Sequence, residues 1–393
     1  MKRENRRIAL AHLREEPLSR AELSQKTGLT QAAISNIADE LLQSGIVQEI
    51  GKVKQSEMGR KPIALEICRN WGYAVGVNMD RDCMEVCVIN LKGEPVGDCD
   101  KISGALGVEE TLDKLTALIT RHMGRVQSKG GRIIGIGIVV PGPVDIVQGR
   151  ILNPPAFEKW HDFPIRQEFE KRFPETRVFV ELNSDALARS EFTFGQGKEF
   201  QNFAALSIGD AGIGLGLVLR GKPFRNGNGC GIGHTCLDIH GRLCACGNRG
   251  CLEAYATTAA VLWDVQRVKK ELHTWEEFID ACYAGDAYCL AALQEQAGYL
   301  AQALNNLNNL LGLDAVILNG KVHYRGQLLA GEIEKHLSRL NPGERKTPLR
   351  ILLSRVAVNA HAIAAASVAV DQLFYSDLYY DLLTQEGEED EET

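Results

Sequence analysis

The stretch Cys244-Ala-Cys246-Gly247-Asn-Arg-Gly250-Cys251-Leu-Glu253 brings three cysteines together among glycines. His234 precedes it, so the four potential ligands have the spacing H-x9-C-x-C-x4-C. Three thiolates and one imidazole match a closed tetrahedral Cys3His site for zinc, and the glycines permit the tight loop that such a site needs. Because four protein ligands leave no open coordination position, we expect one structural zinc ion per chain, bound by His234, Cys244, Cys246 and Cys251.

The overall composition is typical of a cytoplasmic protein. The chain has 393 residues, enough for two or three domains, of which 45% are hydrophobic and 24% charged. No apolar run approaches the roughly 18–20 residues that span a bilayer, and the basic start MKRENRRIAL leads into a mixed-polarity helix, unlike a signal peptide. Eleven cysteines is an odd number, which argues for reduced thiols over a disulfide framework. We therefore expect a cytoplasmic protein without membrane insertion.

Charge is unevenly distributed along the chain. Residues 1–70 hold 12 Lys and Arg against 9 Asp and Glu, whereas the remainder holds 32 against 42. A cationic head on an anionic body is typical of a nucleic-acid-binding module joined to another domain, although chance scatter of surface charge would give the same balance. Six acidic residues fall in the last eight positions, which predicts a solvated acidic tail over residues 376–393.

The first 67 residues have the pattern of a winged helix-turn-helix. Residues 4–14 predict a first helix, and Ser19 with Glu22 predicts a capping box at the start of a second. Thr30 is the expected N-cap of a third helix, which Gly45 ends. In this third helix the i, i+3, i+4, i+7 spacing of a buried stripe is followed by Ile34, Ile37, Ala38 and Leu41.

The other face of the third helix and the hairpin after it both suit DNA. The helix face carries small or amide-bearing side chains, which allow close approach in the major groove and pairing with base edges. Hairpin strands are expected at 46–50 and 63–67, with a basic wing between them that suits phosphates and the minor groove. We expect residues 1–67 to bind a double-stranded DNA operator, although three-helix modules also dock proteins. The expected DNA-contacting residues are Thr30, Gln31, Ala32, Ser35, Asn36, Lys52, Lys54, Arg60 and Lys61.

From Trp71 onward the sequence has the texture of an α/β protein with a repeated block. Helices are expected at 108–127 and 183–192, and strands at 74–78, 85–90, 133–140, 178–181, 203–207, 217–220 and 315–319. The glycine-rich run 208–216 leads into a strand rather than a helix, so it is not a dinucleotide-binding fingerprint; close approach of a neighbouring strand is its commoner explanation. The pattern predicts two α/β lobes that face a cleft.

These motifs resemble those of the ROK family, named for repressors, open reading frames and sugar kinases. Residues 244–253 match the family signature C-x-C-G-x-x-G-C-x-E. The likeness covers essentially the whole chain, through the segments 141–145, 212–214, 233–234 and 308–320. With a winged helix in front, the chain is similar to the sugar-responsive repressor branch, such as the N-acetylglucosamine- and glucose-responsive repressors.

The resemblance implies a fold, an assembly and a kind of control. The body, residues 71–375, is expected to have the actin-like ATPase fold, of the ribonuclease H-like type, in two lobes. One lobe is expected over 71–182 together with a C-terminal helix near 356–374, and the other over 183–355. The resemblance further implies a structural zinc, a homodimer or homotetramer, and operator binding controlled by a sugar, a sugar derivative or a partner protein.

The chain departs from the family's kinases where they perform chemistry. Family kinases have Glu-Asn-Asp at the cleft, with the Asn binding a sugar hydroxyl and the Asp acting as general base. The corresponding residues here are Glu181, Leu182 and Asn183. An Asn amide cannot accept the proton, and Asp185 is an alternative base only if the register shifts.

The phosphate-binding positions are changed as well. Ala211 stands where family ATP sites use a Thr hydroxyl. Residues 78–82 lack the glycines of the first phosphate motif and place acidic groups there, which would repel phosphate. These losses predict that the chain is not an enzyme. An ATP-dependent sugar kinase of the same family is the alternative, and a protein-interaction module is a third hypothesis.

The sugar-binding positions have also lost partners. Gly231 stands where the family motif Gly-Glu-x-Gly-His has its Glu, and Leu182 cannot hydrogen-bond. The remaining candidates for effector binding are Asn153, His234 and Glu253, whose structural alternatives are a turn, zinc ligation and a helix cap. A common hexose is therefore a poor candidate effector, and a modified sugar, another small molecule or no ligand stay open. The sequence predicts a transcriptional repressor of carbohydrate-metabolism genes.

Overall fold

The computed structural model describes residues 2–51, 63–81, 83–103, 106–225, 231–340, 348–356 and 360–389. The helices are α1 (Lys2–Glu15), α2 (Arg20–Thr27), α3 (Gln31–Gln43), α4 (Val108–Gln127), α5 (Ile165–Arg172), α6 (Asn183–Thr193), α7 (Glu253–Ala256), α8 (Thr258–Gln266), α9 (Trp275–Tyr283), α10 (Ala287–Leu311), α11 (Gln327–Leu340), α12 (Ala360–Tyr375) and α13 (Leu378–Glu389). The strands are β1 (Leu18–Ser19), β2 (Val47–Ile50), β3 (Ala64–Ile67), β4 (Tyr73–Met79), β5 (Cys83–Asn90), β6 (Asp100–Ser103), β7 (Ile133–Val140), β8 (Val144–Asp145), β9 (Arg150–Ile151), β10 (Val178–Leu182), β11 (Phe203–Ile208), β12 (Ile213–Leu219), β13 (Lys222–Phe224), β14 (Ala315–Gly320) and β15 (Arg350–Leu353).

The head of the chain has the predicted winged helix-turn-helix fold. Helices α1 to α3 pack on a small sheet of order β1-β3-β2, in which the short strand β1, not predicted from the sequence, pairs antiparallel with β3. Ser19 and Glu22 make the capping box, and the Thr30 hydroxyl accepts a hydrogen bond from the Ala33 amide at 3.2 Å. The apolar stripe of α3 is buried as predicted. The expected wing residues Lys52, Lys54, Arg60 and Lys61 lie outside the described residues.

The body contains two five-stranded sheets with the same plan. The first has the order β10-β7-β4-β5-β6, and the second has the order β13-β12-β11-β14-β15. In each sheet three consecutive strands form an antiparallel meander, and two later strands add in parallel at the other side. This repeat of one strand order confirms the predicted two-lobed, actin-like architecture of the ribonuclease H-like type. Strand β7 is buried along its length because it lies inside its sheet, which explains its continuous apolar sequence.

Helices α6 and α12 contact each other and join the two sheets. Helix α12 packs on the first sheet and α6 on the second. Both approaches need glycine in the strand: a Cβ on Gly137 would lie 1.9 Å from the Ala365 carbonyl oxygen, and one on Gly216 would lie 2.0 Å from that of Ser184. A neighbouring strand is the expected reason for the glycine-rich run, and this is wrong at Gly216, where the close neighbour is helix α6. The predicted limits of the head, the lobes and the tail remain predictions.

The segment expected as an acidic tail begins with an ordered helix. Leu378 and Tyr379, at the start of α13, are each only 3% exposed. The Tyr379 hydroxyl donates a hydrogen bond to the Ser44 hydroxyl at 2.9 Å, and the Trp71 indole N–H donates to the Ser44 carbonyl at 2.8 Å. The start of this segment therefore packs against the end of α3 rather than being solvated. Within the described ranges, no helix combines the length and the apolar character needed to cross a bilayer.

Candidate metal centre and ligand cleft

A loop that folds back on itself positions the cysteines of the signature. The backbone of Cys236 pairs with that of Cys251 in an isolated antiparallel β-bridge, and the backbone of Leu243 pairs with that of Arg249 in a second one. The Cys244 amide donates to the Asn248 carbonyl at 2.8 Å, which closes the turn that holds Cys246. Gly250 has φ +70° and lies against the backbone of Asp238, where a Cβ would be 1.7 Å from a carbonyl oxygen. A side chain at this position is therefore excluded, and the glycine of the signature has a structural reason.

The four predicted metal ligands converge. One ligand atom from each of His234, Cys244, Cys246 and Cys251 lies within 4.8 Å of the other three. The Cys246 and Cys251 Sγ atoms are 3.7 Å apart, and Cys244 Sγ is 3.8 Å from His234 Nδ1. Thiolates bound tetrahedrally to zinc at about 2.3 Å would be separated by about 3.8 Å. The cluster therefore has the size and the donors to hold a metal ion.

The environment of the thiols favours a bound cation. Burial, followed by the neighbouring thiols, raises the pKa of Cys251 to about 12. Burial is also the main cause that raises the pKa of Cys244, whereas a hydrogen bond from the Asn248 backbone lowers that of Cys246. Three adjacent thiols do not all ionise beside one another without a compensating positive charge. A divalent ion supplies that charge, so the donor set fits a metal.

Two of the three predicted effector-binding residues, His234 and Glu253, contact each other. Glu253 Oε1 accepts a hydrogen bond from the Ile213 amide at 2.8 Å, and its Oε2 is 3.7 Å from His234 Nδ1. Glu253 thereby links His234, one of the four converging residues, to the start of β12. Asn153 is exposed in the loop after β9, and in the described part of the chain no hydrogen bond joins it to His234 or Glu253.

The turn before β12, where a nucleotide would place its phosphates, contains an internal ion pair. Asp210 pairs with Lys321 and also accepts a hydrogen bond from the Thr258 hydroxyl. Next to it stands Ala211, without the hydroxyl that the family's ATP sites use. On the opposite lobe the Arg81 Nε donates to the Pro155 carbonyl at 2.8 Å, so this cation is already engaged. The arrangement disfavours phosphate binding because an acidic group occupies the turn.

The residues at the kinase-base position are engaged in the fold. Leu182 is 4% exposed and belongs to the apolar core of the first lobe. The Asn183 side-chain oxygen accepts a hydrogen bond from the Ser184 amide at 2.7 Å, at the first turn of α6. Neither side chain provides a base for a sugar hydroxyl.

Asp185, the alternative base, has an unusual environment. It is 5% exposed, and its Oδ1 atom makes no hydrogen bond with any described residue. Burial, with the nearby Glu181 carboxylate, raises its pKa to about 7, although Arg225 and Arg189 oppose the shift. Its neighbours Arg189 and Arg225 were not identified from the sequence. No local motif marks them, since Asp371 lies 182 residues from Arg189, and Glu181 lies 44 residues from Arg225.

Replacing Asp185 by Asn is expected to stabilise the protein at pH 8 but not at pH 4. The folded-state pKa of about 7 lies above the ordinary value of 3.8, so the free energy of unfolding falls as pH rises between these values. Asn at this position removes the decrease, so we expect the free energy of unfolding to be about 2–4 kcal/mol higher than in the wild type at pH 8. Urea denaturation between pH 4 and pH 8 measures it, with the exposed Asp113→Asn as control. Parallel curves for Asp185→Asn and wild type would contradict the assignment.

Fold and site together define a class: a two-lobed body of the sugar-kinase type with a His/Cys cluster that could hold a metal ion, preceded by a winged helix-turn-helix. The chain belongs to the ROK family, whose model matches residues 74–372. A crystal structure of a ROK family transcriptional regulator, a homologue of the E. coli MLC protein, superimposes with a TM-score of 0.80 at 23% identity. The match covers 96% of this chain and 98% of that one, so it includes the head as well as the body.

Two curated relatives match head and body in sequence. The xylose repressor of Bacillus subtilis (strain 168) is 30% identical over 374 residues, which cover 94% of this chain and 96% of the repressor. The DNA-binding transcriptional dual regulator NagC of Escherichia coli (strain K12) is 24% identical over 363 residues, 88% of each chain. These similarities confirm the predicted resemblance to the repressor branch of the family.

Proposed function

We infer that this protein is a DNA-binding transcriptional regulator controlled by a sugar, and that it is not an enzyme. The observation that carries the inference is the combination of a helix-turn-helix head with a cleft that lacks both the kinase base and the phosphate-binding Thr. Relatives with the same head and body are named as repressors. Repression of carbohydrate-metabolism genes is accordingly the proposed activity.

The proposed DNA-reading element is the polar face of α3. Thr30, Gln31, Ala32 and Asn36 are exposed, and Ser35 is half-buried, while the opposite face of the helix is packed in the head. Short side chains and amides suit contacts to base edges in the major groove. We assign phosphate contacts to Lys52, Lys54, Arg60 and Lys61.

The proposed effector is a pentose, and D-xylose is the first to test. The Bacillus subtilis relative is named a xylose repressor. Leu182 and Gly231 provide no hydroxyl partners, and a pentose lacks the hydroxymethyl group of a hexose, so it needs fewer of them. Glu253, His234 and Asn153 are the proposed contacts.

Zinc is the metal that we propose for the Cys3His centre, in a structural role. The four ligands leave no site for a reacting water, and in the turn that they close the apolar residues Ile239 and Leu243 are 73% and 66% exposed. We further propose a homodimer or homotetramer, as expected for symmetric operators. A regulator that binds genomic DNA would act in the cytoplasm.

Gel-shift titration of the full chain tests the function. Genomic duplexes retained by the protein are selected first, and D-xylose, D-glucose or N-acetylglucosamine is then added. We expect bound duplex at low salt and release by D-xylose at concentrations that leave the complex intact with the other two sugars. Absence of any salt-sensitive DNA binding would refute the regulator and favour a protein-interaction module. Binding that no sugar alters would refute the proposed effector alone.

A sugar kinase is the second candidate, and Asp185 is the observation that favours it. A carboxyl with a pKa near 7 is suited to proton transfer at neutral pH. The ion pair between Asp210 and Lys321 in the phosphate turn argues against it. A coupled assay with ATP and the same three sugars decides between them, and we expect no turnover above the rate without protein.

Placing Glu at position 231 is expected to create affinity for glucose. The position is open, since a Cβ on Gly231 meets no atom within 4 Å, and a carboxylate there restores the family's hydroxyl partner. One added hydrogen bond to a charged group gives about a tenfold or greater gain in affinity, measured by calorimetry. Gly231→Ala is the matched control and should bind no better than wild type. Micromolar glucose binding by the unmodified protein would show that Leu182 and Gly231 do not occupy the family's sugar-binding positions.

A further inference from the structure

A continuous chain of ion pairs runs from the first helix of the head to the cleft. Asp371, on α12, binds Arg14 of α1 through Oδ1 and Arg189 of α6 through Oδ2, the latter at 3.0 Å. Arg189 also lies 3.4 Å from Glu181 Oε2, at the end of β10, and the same oxygen pairs with Arg225. Charges alternate in sign along these five side chains, which come from five separate parts of the sequence.

Most of the chain of ion pairs is shielded from water. The side chains of Arg14, Asp371, Arg189 and Glu181 are between 1% and 12% exposed, whereas Arg225 is 44% exposed. The Arg14 guanidinium also lies over the Phe374 ring at 4.7 Å, and within the described part of the chain its Nε and Nη1 atoms make no hydrogen bond. Buried charges interact strongly because little water screens them, so a change at one pair alters the next. Arg225 is the most exposed of the five side chains, and its partner Glu181 directly precedes Leu182 and Asn183 of the kinase-base position, so a ligand held at that position can compete for this end of the chain of ion pairs.

We propose that this chain of ion pairs transmits the state of the cleft to helix α1, with Arg225 as the input and Arg14 as the output. The direction follows from competition for shared partners. When Arg225 leaves Glu181, that carboxylate attracts Arg189 alone, and Arg189 then binds Asp371 less strongly. Asp371 in turn holds Arg14 more strongly, which fixes α1 more firmly to the body. That the head reads DNA rests on the proposed function, but the coupling itself does not.

Hydrogen exchange of the full chain tests the coupling without DNA or sugar. Arg225→Gln removes the input charge at a half-exposed position, where folding is not at risk. We expect the amides of α1 to exchange about threefold more slowly or better than in wild type, with α4 of the first lobe unchanged as internal reference. Arg225→Lys keeps the charge and should return α1 close to the wild-type rate.

Arg325→Gln is the matched control. Arg325 is 45% exposed in the second lobe and, among the described residues, pairs with one carboxylate, Asp280, at 2.6 Å. It should leave the exchange of α1 unchanged. Equal or faster exchange of α1 in Arg225→Gln, relative to wild type, would overturn the proposal and reduce these ion pairs to a static clamp.

A DNA readout separates this inference from the proposed function. We expect Arg225→Gln, but not Arg325→Gln, to change the affinity of the full chain for its selected duplex by about threefold or more. A wild-type chain that binds no DNA would refute the regulator and leave the exchange result to stand alone. If both variants bind DNA with the affinity of the wild type, the coupling is refuted, and the proposed function as a regulator is not.

Discussion

Replacement of Cys246 by Ser is expected to release the metal ion and to destabilise the body. The remaining three ligands do not close the tetrahedron, and the turn from 238 to 250 depends on the ion because its apolar residues Ile239 and Leu243 are exposed. We expect less than about one tenth of the wild-type zinc content and a loss of about 3–5 kcal/mol in the free energy of unfolding. Elemental analysis and urea denaturation measure the two effects.

Cys236→Ser provides the matched control for the metal centre. Cys236 is an exposed cysteine of the same loop that is not among the four converging ligands. This variant should retain the metal and the stability of the wild type. Wild-type protein purified under reducing conditions without chelator, and found to contain no zinc, would contradict the assignment.

DNA binding by the full chain is expected to fall steeply with salt. A winged helix-turn-helix that neutralises 6–10 phosphates would lose about 10³–10⁵ in affinity between 50 and 200 mM salt because bound counterions are released. Arg60→Ala should weaken binding to all duplexes alike and lower the slope of the salt dependence by about 1. Asn36→Ala should instead relax preference at one base pair, with a change of about 1–3 kcal/mol in discrimination.

Lys114→Ala is the control for the DNA interface, since Lys114 is a half-exposed cation on α4 in the body. Fluorescence anisotropy measures the affinity of the wild type and the three variants for the selected duplex and its single-base variants at several salt concentrations. Unchanged binding by both Asn36→Ala and Arg60→Ala would show that the recognition helix and the wing are wrongly placed.

Features that depend on neighbours close in the chain were predictable from the sequence. The capping box of Ser19 and Glu22, the Thr30 cap and the buried stripe of α3 all occur as predicted, because each needs only residues within a few turns of helix. The metal ligands converge as expected, since they span only residues 234–251 and the glycines between them dictate the loop. The repeated strand pattern was sufficient to predict the two-lobed architecture.

Features that depend on contacts between distant segments were decided only by the tertiary structure. The raised pKa of Asp185 arises from its burial and from the nearby Glu181 carboxylate. The close approach of α6 explains why position 216 is a glycine. The sequence did not reveal that the segment from 376 onward begins as a helix packed on Ser44. Nor did it reveal that Arg14 and Arg189 share Asp371. A buried charge needs a partner of opposite charge, and here that partner lies 357 residues from Arg14 and 182 residues from Arg189.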